Sequence, residues 1–128
     1  MGIFNSIRTA LSSGSRSGKA VKVIEDVLGR SLSSDERENV REFGLNQNYS
    51  ESTDEYDEAD NYLYGLLYGF GNEVQKVKPE VGDWILDCMV RAAKEGRYVN
   101  KNYKGKQDSF IISLEKYRDE YRMTRGTR

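Results

Sequence analysis

The chain has 128 residues, and its 20 basic and 21 acidic side chains leave a formal net charge of −1. This length suits one domain with one core, and a single proline favours helices over a turn-rich β fold. Because histidine is absent, Ser-His-Asp triads and histidine-ligated zinc sites are excluded, and Cys88 alone cannot form an intramolecular disulfide. The sequence shows neither an apolar run of about 20 residues nor a signal-peptide pattern, so we expect a cytoplasmic protein.

The charges are unevenly distributed along the chain. Residues 1–30 carry 5 basic and 2 acidic side chains, residues 31–90 carry 4 and 14, and residues 91–128 carry 11 and 5. Such segregation indicates either a surface for a charged partner or basic ends that pack against an acidic middle.

Residues 1–18 are predicted to form an amphipathic helix followed by a flexible linker. Apolar side chains recur at helical spacing over residues 3–11: Ile3, Phe4, Ile7 and Leu11. Residues 12–18 contain only serine, glycine and one arginine, a composition typical of a flexible connection. Such a helix packs on its own core or enters a partner's groove. Membrane contact through an acylated Gly2 is the less expected alternative.

Two helices are predicted between residues 19 and 44. An apolar stripe over residues 19–32 indicates packing on a core: Val23, Ile24, Val27, Leu28 and Leu32. Ser33 and Glu36 have capping-box spacing, in which each side chain accepts a hydrogen bond from a backbone N–H at the helix start. The second helix buries Val40 and Phe43 and ends near Gly44.

The longest predicted helix runs from Ser52, which with Glu55 repeats the capping-box spacing. Its apolar side chains recur every three or four residues: Tyr56, Ala59, Leu63, Leu66, Leu67, Phe70, Val74 and Val77. Gly65 and Gly69 leave a smooth strip that another backbone can approach closely. The helix is expected to continue until Pro79 stops it.

Pro79 also begins the next predicted helix, which ends at Gly96. Its apolar stripe is Val81, Trp84, Ile85, Cys88, Met89 and Ala92. We expect these two helices to form a central antiparallel hairpin. Residues 97–107 are predicted to be an exposed basic loop, with a β-hairpin as the alternative.

A last helix is predicted from a final apolar stripe: Phe110, Ile111, Leu114, Tyr117 and Tyr121. The predicted fold is therefore an all-α compact bundle of five or six helices. Its organisation is the N-terminal segment 1–18, a helical domain over 19–123, and a basic tail over 124–128.

Four carboxylates have the spacing of a metal site. Glu55 and Glu58 lie three residues apart, on one face of their helix, and Glu80 and Asp83 do the same on the next helix. Two facing helices can bring such oxygen ligands around Mg²⁺, a cation that needs no histidine and that binds nucleotide phosphates. The alternative is that these acids complement the backbone dipole at the helix N-termini.

Residues 55–95 resemble the all-α NTP pyrophosphohydrolases of the MazG-like group, whose signature is ExxE followed, after a variable gap, by ExxD. Residues 80–86 are similar to the second motif, in which a Gly-Asp pair opens an apolar helix. The first motif has two candidate registers, residues 55–58 and 57–60. The resemblance implies a Mg-dependent nucleoside triphosphate pyrophosphohydrolase with Glu55, Glu58, Glu80 and Asp83 as metal ligands. Apart from this magnesium alternative, no cofactor is expected.

The C-terminal third combines cations with aromatic rings. The cations that suit phosphate groups are Lys101, Lys104, Lys106, Arg118 and Arg122. Tyr98, Tyr103, Tyr117 and Tyr121 are rings that bases can stack on, so binding to RNA or single-stranded DNA is a second alternative function. Half of these tyrosines lie on the apolar face of the last helix, where core packing is the simpler explanation.

The function that we predict first is a non-enzymatic protein-interaction module, an adaptor, inhibitor or small subunit of a larger assembly. Tyrosine-rich helices are favoured at interfaces, although a thick bundle core also explains them. The predicted apolar anchors are Tyr62, Tyr64, Tyr68 and Trp84, of which Trp84 is the one expected to be core. The predicted negative patch is Asp54, Asp57 and Asp60. The expected partner is a protein, with self-association as the alternative, and no membrane partner is expected.

Overall fold

The structure is a computed structural model that describes residues 18–47, 49, 52–70, 74–100 and 106–124. Over these ranges the chain forms five helices: α1 (18–28), α2 (Ser34–Leu45), α3 (Glu55–Tyr68), α4 (Pro79–Lys94) and α5 (Gln107–Thr124). The all-α prediction is confirmed. The helix predicted over residues 3–11 and the tail beyond Thr124 lie outside the described residues, and none of the described helices is both long and apolar enough to cross a bilayer.

Helix α1 ends at residue 28, four residues before the predicted end. Gly29 adopts φ +69°, a left-handed conformation that glycine tolerates, and its N–H donates to the Glu25 carbonyl at 2.8 Å. Leu32 is nevertheless buried. Its N–H donates to the Glu25 carboxylate at 2.8 Å, which returns the chain to the core after the helix has ended.

Helix α2 confirms its prediction at both ends. The Ser33 hydroxyl accepts from the Glu36 N–H at 3.1 Å, and the Glu36 carboxylate accepts from the Ser33 N–H at 2.8 Å. Val40 and Phe43 are buried, as the apolar spacing predicted. The Phe43 ring packs edge-on against Tyr62 of α3, with 5.8 Å between ring centroids.

Helix α3 starts later and ends earlier than predicted. Its N-cap is Asp54 rather than Ser52: the Asp54 carboxylate accepts from the Asp57 N–H at 2.9 Å, and Asp57 accepts in return from the Asp54 N–H at 3.2 Å. Aspartate caps a helix as well as serine does, so residue type alone does not single out Ser52 as the cap. The helix ends before Gly69, which adopts φ +82°.

The helix predicted over residues 70–77 is wrong for the residues that the structure describes there, because Phe70 and residues 74–77 lie outside α3 and turn back along it. Phe70 and Val74 exchange backbone hydrogen bonds of 2.9 and 3.2 Å, and the Val77 N–H donates to the Leu66 carbonyl at 2.8 Å. A Cβ at Gly65 would lie 3.2 Å from the Val74 side chain. The smooth strip of α3 therefore accommodates this returning segment. Since Val74 is buried, it extends the apolar periodicity beyond the end of the helix.

Helices α4 and α5 pack antiparallel, and ion pairs connect them along their length. Lys94 pairs with Glu115 at 3.0 Å, while Arg118 and Arg122 each reach Asp87, at 3.2 and 2.9 Å. The basic end of the chain therefore neutralises part of its acidic middle. Tyr121 lies so close to Gly82 that a Cβ at position 82 would overlap its hydroxyl. The absence of a side chain at this position is what allows the close approach.

Candidate functional site

Trp84 and Val81 form an exposed apolar pair on α4. Their exposed fractions are 42% and 41%, so the expectation that Trp84 is core is wrong. The reason is the orientation of α4, which turns Gly82, Leu86 and Met89 inward and leaves the other edge of its apolar stripe toward solvent. An exposed tryptophan beside another exposed apolar residue is a candidate contact surface.

The pair borders a small concave surface that we call the Trp84 groove. It encloses about 100 Å³ and is formed by α1, the turn after it, α2, α3, the segment before α4, and α4. Its lining residues are Ile24, Leu28, Arg30, Leu32, Glu36, Tyr62, Leu66, Val77, Val81, Trp84 and Ile85. All but two of these are apolar or aromatic, so the groove favours an apolar occupant.

The two charged lining residues of the groove pair with each other. Two nitrogens of the Arg30 guanidinium donate to the two carboxylate oxygens of Glu36, at 3.2 and 2.9 Å. The hydrogen bonds from Arg30 and from the Ser33 N–H lower the pKa of Glu36 to about 2. The bidentate pair is therefore ionised at neutral pH and holds the turn after α1 against the start of α2.

The tyrosines predicted to be binding anchors pack, wholly or in part, against other residues of the same chain. Tyr62 is buried, donates its hydroxyl to the Asn39 side chain at 2.7 Å, and has its pKa raised by burial to about 12. It lies on the floor of the Trp84 groove. Tyr64 and Tyr68 are half-buried and pack edge-on against Tyr117 of α5, with ring centroids 4.8 and 5.7 Å apart. Of the four anchors, Tyr62 and Trp84 share the groove.

The predicted negative patch is divided between a helix cap and a polar cavity. Asp54 and Asp57 cap α3 as described above, and Asp57 and Asp60 line a cavity of about 380 Å³. Its other lining residues are Tyr49, Ser52, Thr53, Asn61 and Asn100. Asp60 accepts a hydrogen bond from the hydroxyl of Tyr98, which is fully buried.

Asp60 has an unusual acidity for an aspartate. Burial raises its pKa to about 6; the Tyr98 hydrogen bond opposes this rise and the charge of Asp57 adds to it. Burial also raises the pKa of Tyr98 well above its ordinary value, so the phenol remains a hydrogen-bond donor. The Asp60–Tyr98 contact joins the start of α3 to the segment after α4.

The four carboxylates predicted to bind magnesium are not brought into one cluster. Glu58 is buried at 4% exposure, Glu80 is exposed in the first turn of α4, and Asp83 accepts from Arg122 of α5 at 2.5 Å. Across the part of the chain that the structure describes, no group of three or more such side chains could hold a metal ion. Magnesium binding stays a prediction.

The residues predicted to bind nucleic acid are not shown to form one surface. Lys101 and Lys104 lie outside the described residues, Lys106 is exposed before α5, and Arg118 and Arg122 pair with α4 carboxylates. Tyr98, expected in an exposed loop, is instead buried.

Core packing explains the burial of Tyr98. Its ring lies 5.5 Å from that of Phe110, and its carbonyl accepts from the Gln107 side chain at 2.8 Å. Tyr121 is buried as well. The core-packing explanation offered for the tyrosines of the last helix therefore applies to Tyr121, while the burial of Tyr98 was not predicted.

Comparison of the chain with protein-family models, with curated proteins and with solved structures finds no match. The likeness of residues 55–95 to the MazG-like group therefore stays a prediction. An all-α fold hosts many unrelated activities, so only the individual sites bear on the function of this chain.

Proposed function

We propose that this chain is a non-enzymatic helical interaction module whose partner docks on the Trp84 groove. The observation that carries the proposal is the exposed Trp84–Val81 pair beside an apolar concavity. Single exposed apolar side chains are ordinary, but a tryptophan at the edge of a groove has the geometry of a binding hot spot. The paired Arg30 and Glu36 add a polar edge to this surface.

The partner is a second protein, and the module acts as an adaptor, inhibitor or small subunit with a regulatory role. Binding through an apolar groove requires no reactive side chain, so it is compatible with a chain that has no histidine and one cysteine. The proposal includes a cytoplasmic location. Cysteines ordinarily remain free thiols in that compartment, as Cys88 does here. A homo-oligomer through the same groove is the alternative.

The test compares Trp84→Ala with Ile112→Ala. Ile112 is 63% exposed on α5 and does not line the groove, so it is a matched loss of an exposed apolar side chain. The tagged proteins are used to capture partners from the native host, and the affinity of the recovered partner is then measured. Because hot-spot tryptophans contribute at least about 2 kcal/mol, Trp84→Ala should weaken binding by roughly 30-fold or more.

Two controls make the result decisive. Thermal unfolding followed by circular dichroism verifies that both variants remain folded at the binding temperature. Sedimentation of the purified protein over a concentration series separates a second copy from a foreign partner. A protein that stays monomeric and captures nothing contradicts the proposal, and so does a partner whose affinity is equally reduced by Ile112→Ala.

A further inference from the structure

The volume of the Trp84 groove selects the kind of side chain that fills it. An apolar cavity of about 150 Å³ holds a benzene ring. The groove encloses about 100 Å³, so it suits one branched aliphatic side chain better than an aromatic ring. Arg30 and Glu36 already neutralise each other at its edge, so the occupant needs no charge inside the groove.

The chain itself supplies side chains of this kind ahead of α1. Ile3, Ile7 and Leu11 follow one another at intervals of four, the spacing of one helix face. The sequence of this segment and the surface of the groove are therefore complementary in apolar character.

The length of the connection allows this segment to reach the groove. Ile24 and Leu28 of α1 line it, and α1 extends about 15 Å from residue 18 to residue 28 at 1.5 Å per residue. Residues 12–17, when extended, span up to about 20 Å. A segment on so short a tether has an effective concentration in the millimolar range, so weak apolar contacts are enough for docking.

We propose that residues 3–11 dock in the Trp84 groove of their own chain, with the Ile7 side chain inside it. A partner that uses the groove must then displace this segment, which makes the N-terminus an intramolecular competitor. The competition rests on the proposed function, but the docking does not. It is tested on the purified full chain in the absence of any partner.

Trp84 is the only tryptophan of the chain, so its fluorescence reports directly on the groove. Ile7→Asp places a charge on the docking face, and Thr9→Asp places the same charge on the opposite face. The docked segment covers one side of the Trp84 indole. Ile7→Asp should release the segment and so raise the rate constant for acrylamide quenching roughly twofold. Thr9→Asp should leave it unchanged. Equal quenching in the wild-type protein and in Ile7→Asp would overturn the docking.

Disulfide trapping provides a second measurement. In a Cys88→Ser background, Ile7→Cys combined with Val81→Cys should oxidise to a monomeric cross-link at about 1 µM protein, where a millimolar effective concentration favours the intramolecular reaction about a thousandfold. Thr9→Cys with Val81→Cys is the matched control and should cross-link more slowly. Cross-linked dimers that increase with protein concentration would instead show a second copy in the groove and would overturn the inference. If trapping fails while partner capture still depends on Trp84, the proposed function stands without the intramolecular competitor.

Discussion

The two sides of α4 differ in how completely they are packed. Toward α5, the Tyr121 hydroxyl fills the space that Gly82 leaves, and Arg118 and Arg122 pair with the carboxylates of α4. Toward α1 and α3, the described residues leave the Trp84 groove uncovered, and Trp84 is 42% exposed. One helix therefore has a closely packed side and a side that the described residues leave partly exposed. The difference explains why its apolar stripe is wider than the core requires.

Adjacent residues of α4 allow this difference to be tested directly. In Gly82→Ala the new methyl group would overlap Tyr121, and overpacking of this kind lowers the free energy of unfolding by about 1–3 kcal/mol. In Val81→Ala, on the groove side, less than about 1 kcal/mol should be lost because the side chain is 41% exposed. Urea unfolding of both variants measures the two changes. Equal losses would show that the two sides are packed alike.

A region of this chain can be predicted from its sequence where the signals are local, and cannot where they depend on distant packing. Helix α2 was predicted in full, because the capping box of Ser33 and Glu36 and the burial of Val40 and Phe43 are local properties. The end of α3 was not predicted, because Val74 extends the helical spacing although it packs from a returning segment. The helix ends where Gly69 adopts a positive φ angle. A glycine in the sequence does not by itself show whether the helix stops there or continues.

The groove was the least predictable feature. Its walls come from six segments of the chain, and the Arg30–Glu36 pair forms only because the turn after α1 brings the two side chains together. The stripe that contains Trp84 correctly identified an apolar helix. Which edge of that stripe remains exposed depends on how α4 packs against its neighbours, including the close contact of Gly82 with Tyr121 of α5. Long-range packing of this kind leaves no local signature in the sequence.

The polar cavity at the start of α3 offers a contrast in pH dependence with the groove. The pKa of Asp60 is raised to about 6 in the folded protein, above its unfolded value of about 3.9. The folded state therefore binds this proton more tightly, so the contribution of Asp60 to stability is lost as the pH rises from about 4 through 6. Asp60→Asn should stabilise the protein at pH 7 by up to about 2–3 kcal/mol and have little effect near pH 4.

Urea unfolding of Asp60→Asn at pH 4 and at pH 7 measures this effect. Asp60→Leu is the matched comparison, because it removes the charge and also the acceptor for the Tyr98 hydroxyl. It should lose part of the gain, since a buried hydroxyl without its hydrogen bond costs about 1–3 kcal/mol. A destabilised Asp60→Asn protein at pH 7 would show that the carboxylate charge itself stabilises the fold there.

Glu36, at the edge of the groove, should show the opposite and smaller dependence. Its pKa is lowered to about 2 by the hydrogen bonds from Arg30 and from the Ser33 N–H. The stability that it contributes is present above the unfolded pKa of about 4.3 and is lost as the pH falls toward 2. Its side chain is 38% exposed, so solvent screening limits the loss in Glu36→Gln at pH 7 to about 1 kcal/mol. Glu38→Gln, at an exposed position of the same helix, is the control for charge alone. If Glu36→Gln loses no more stability than Glu38→Gln at pH 7 or at pH 3, the Arg30–Glu36 pair does not hold the turn. The groove would then owe its shape to apolar packing.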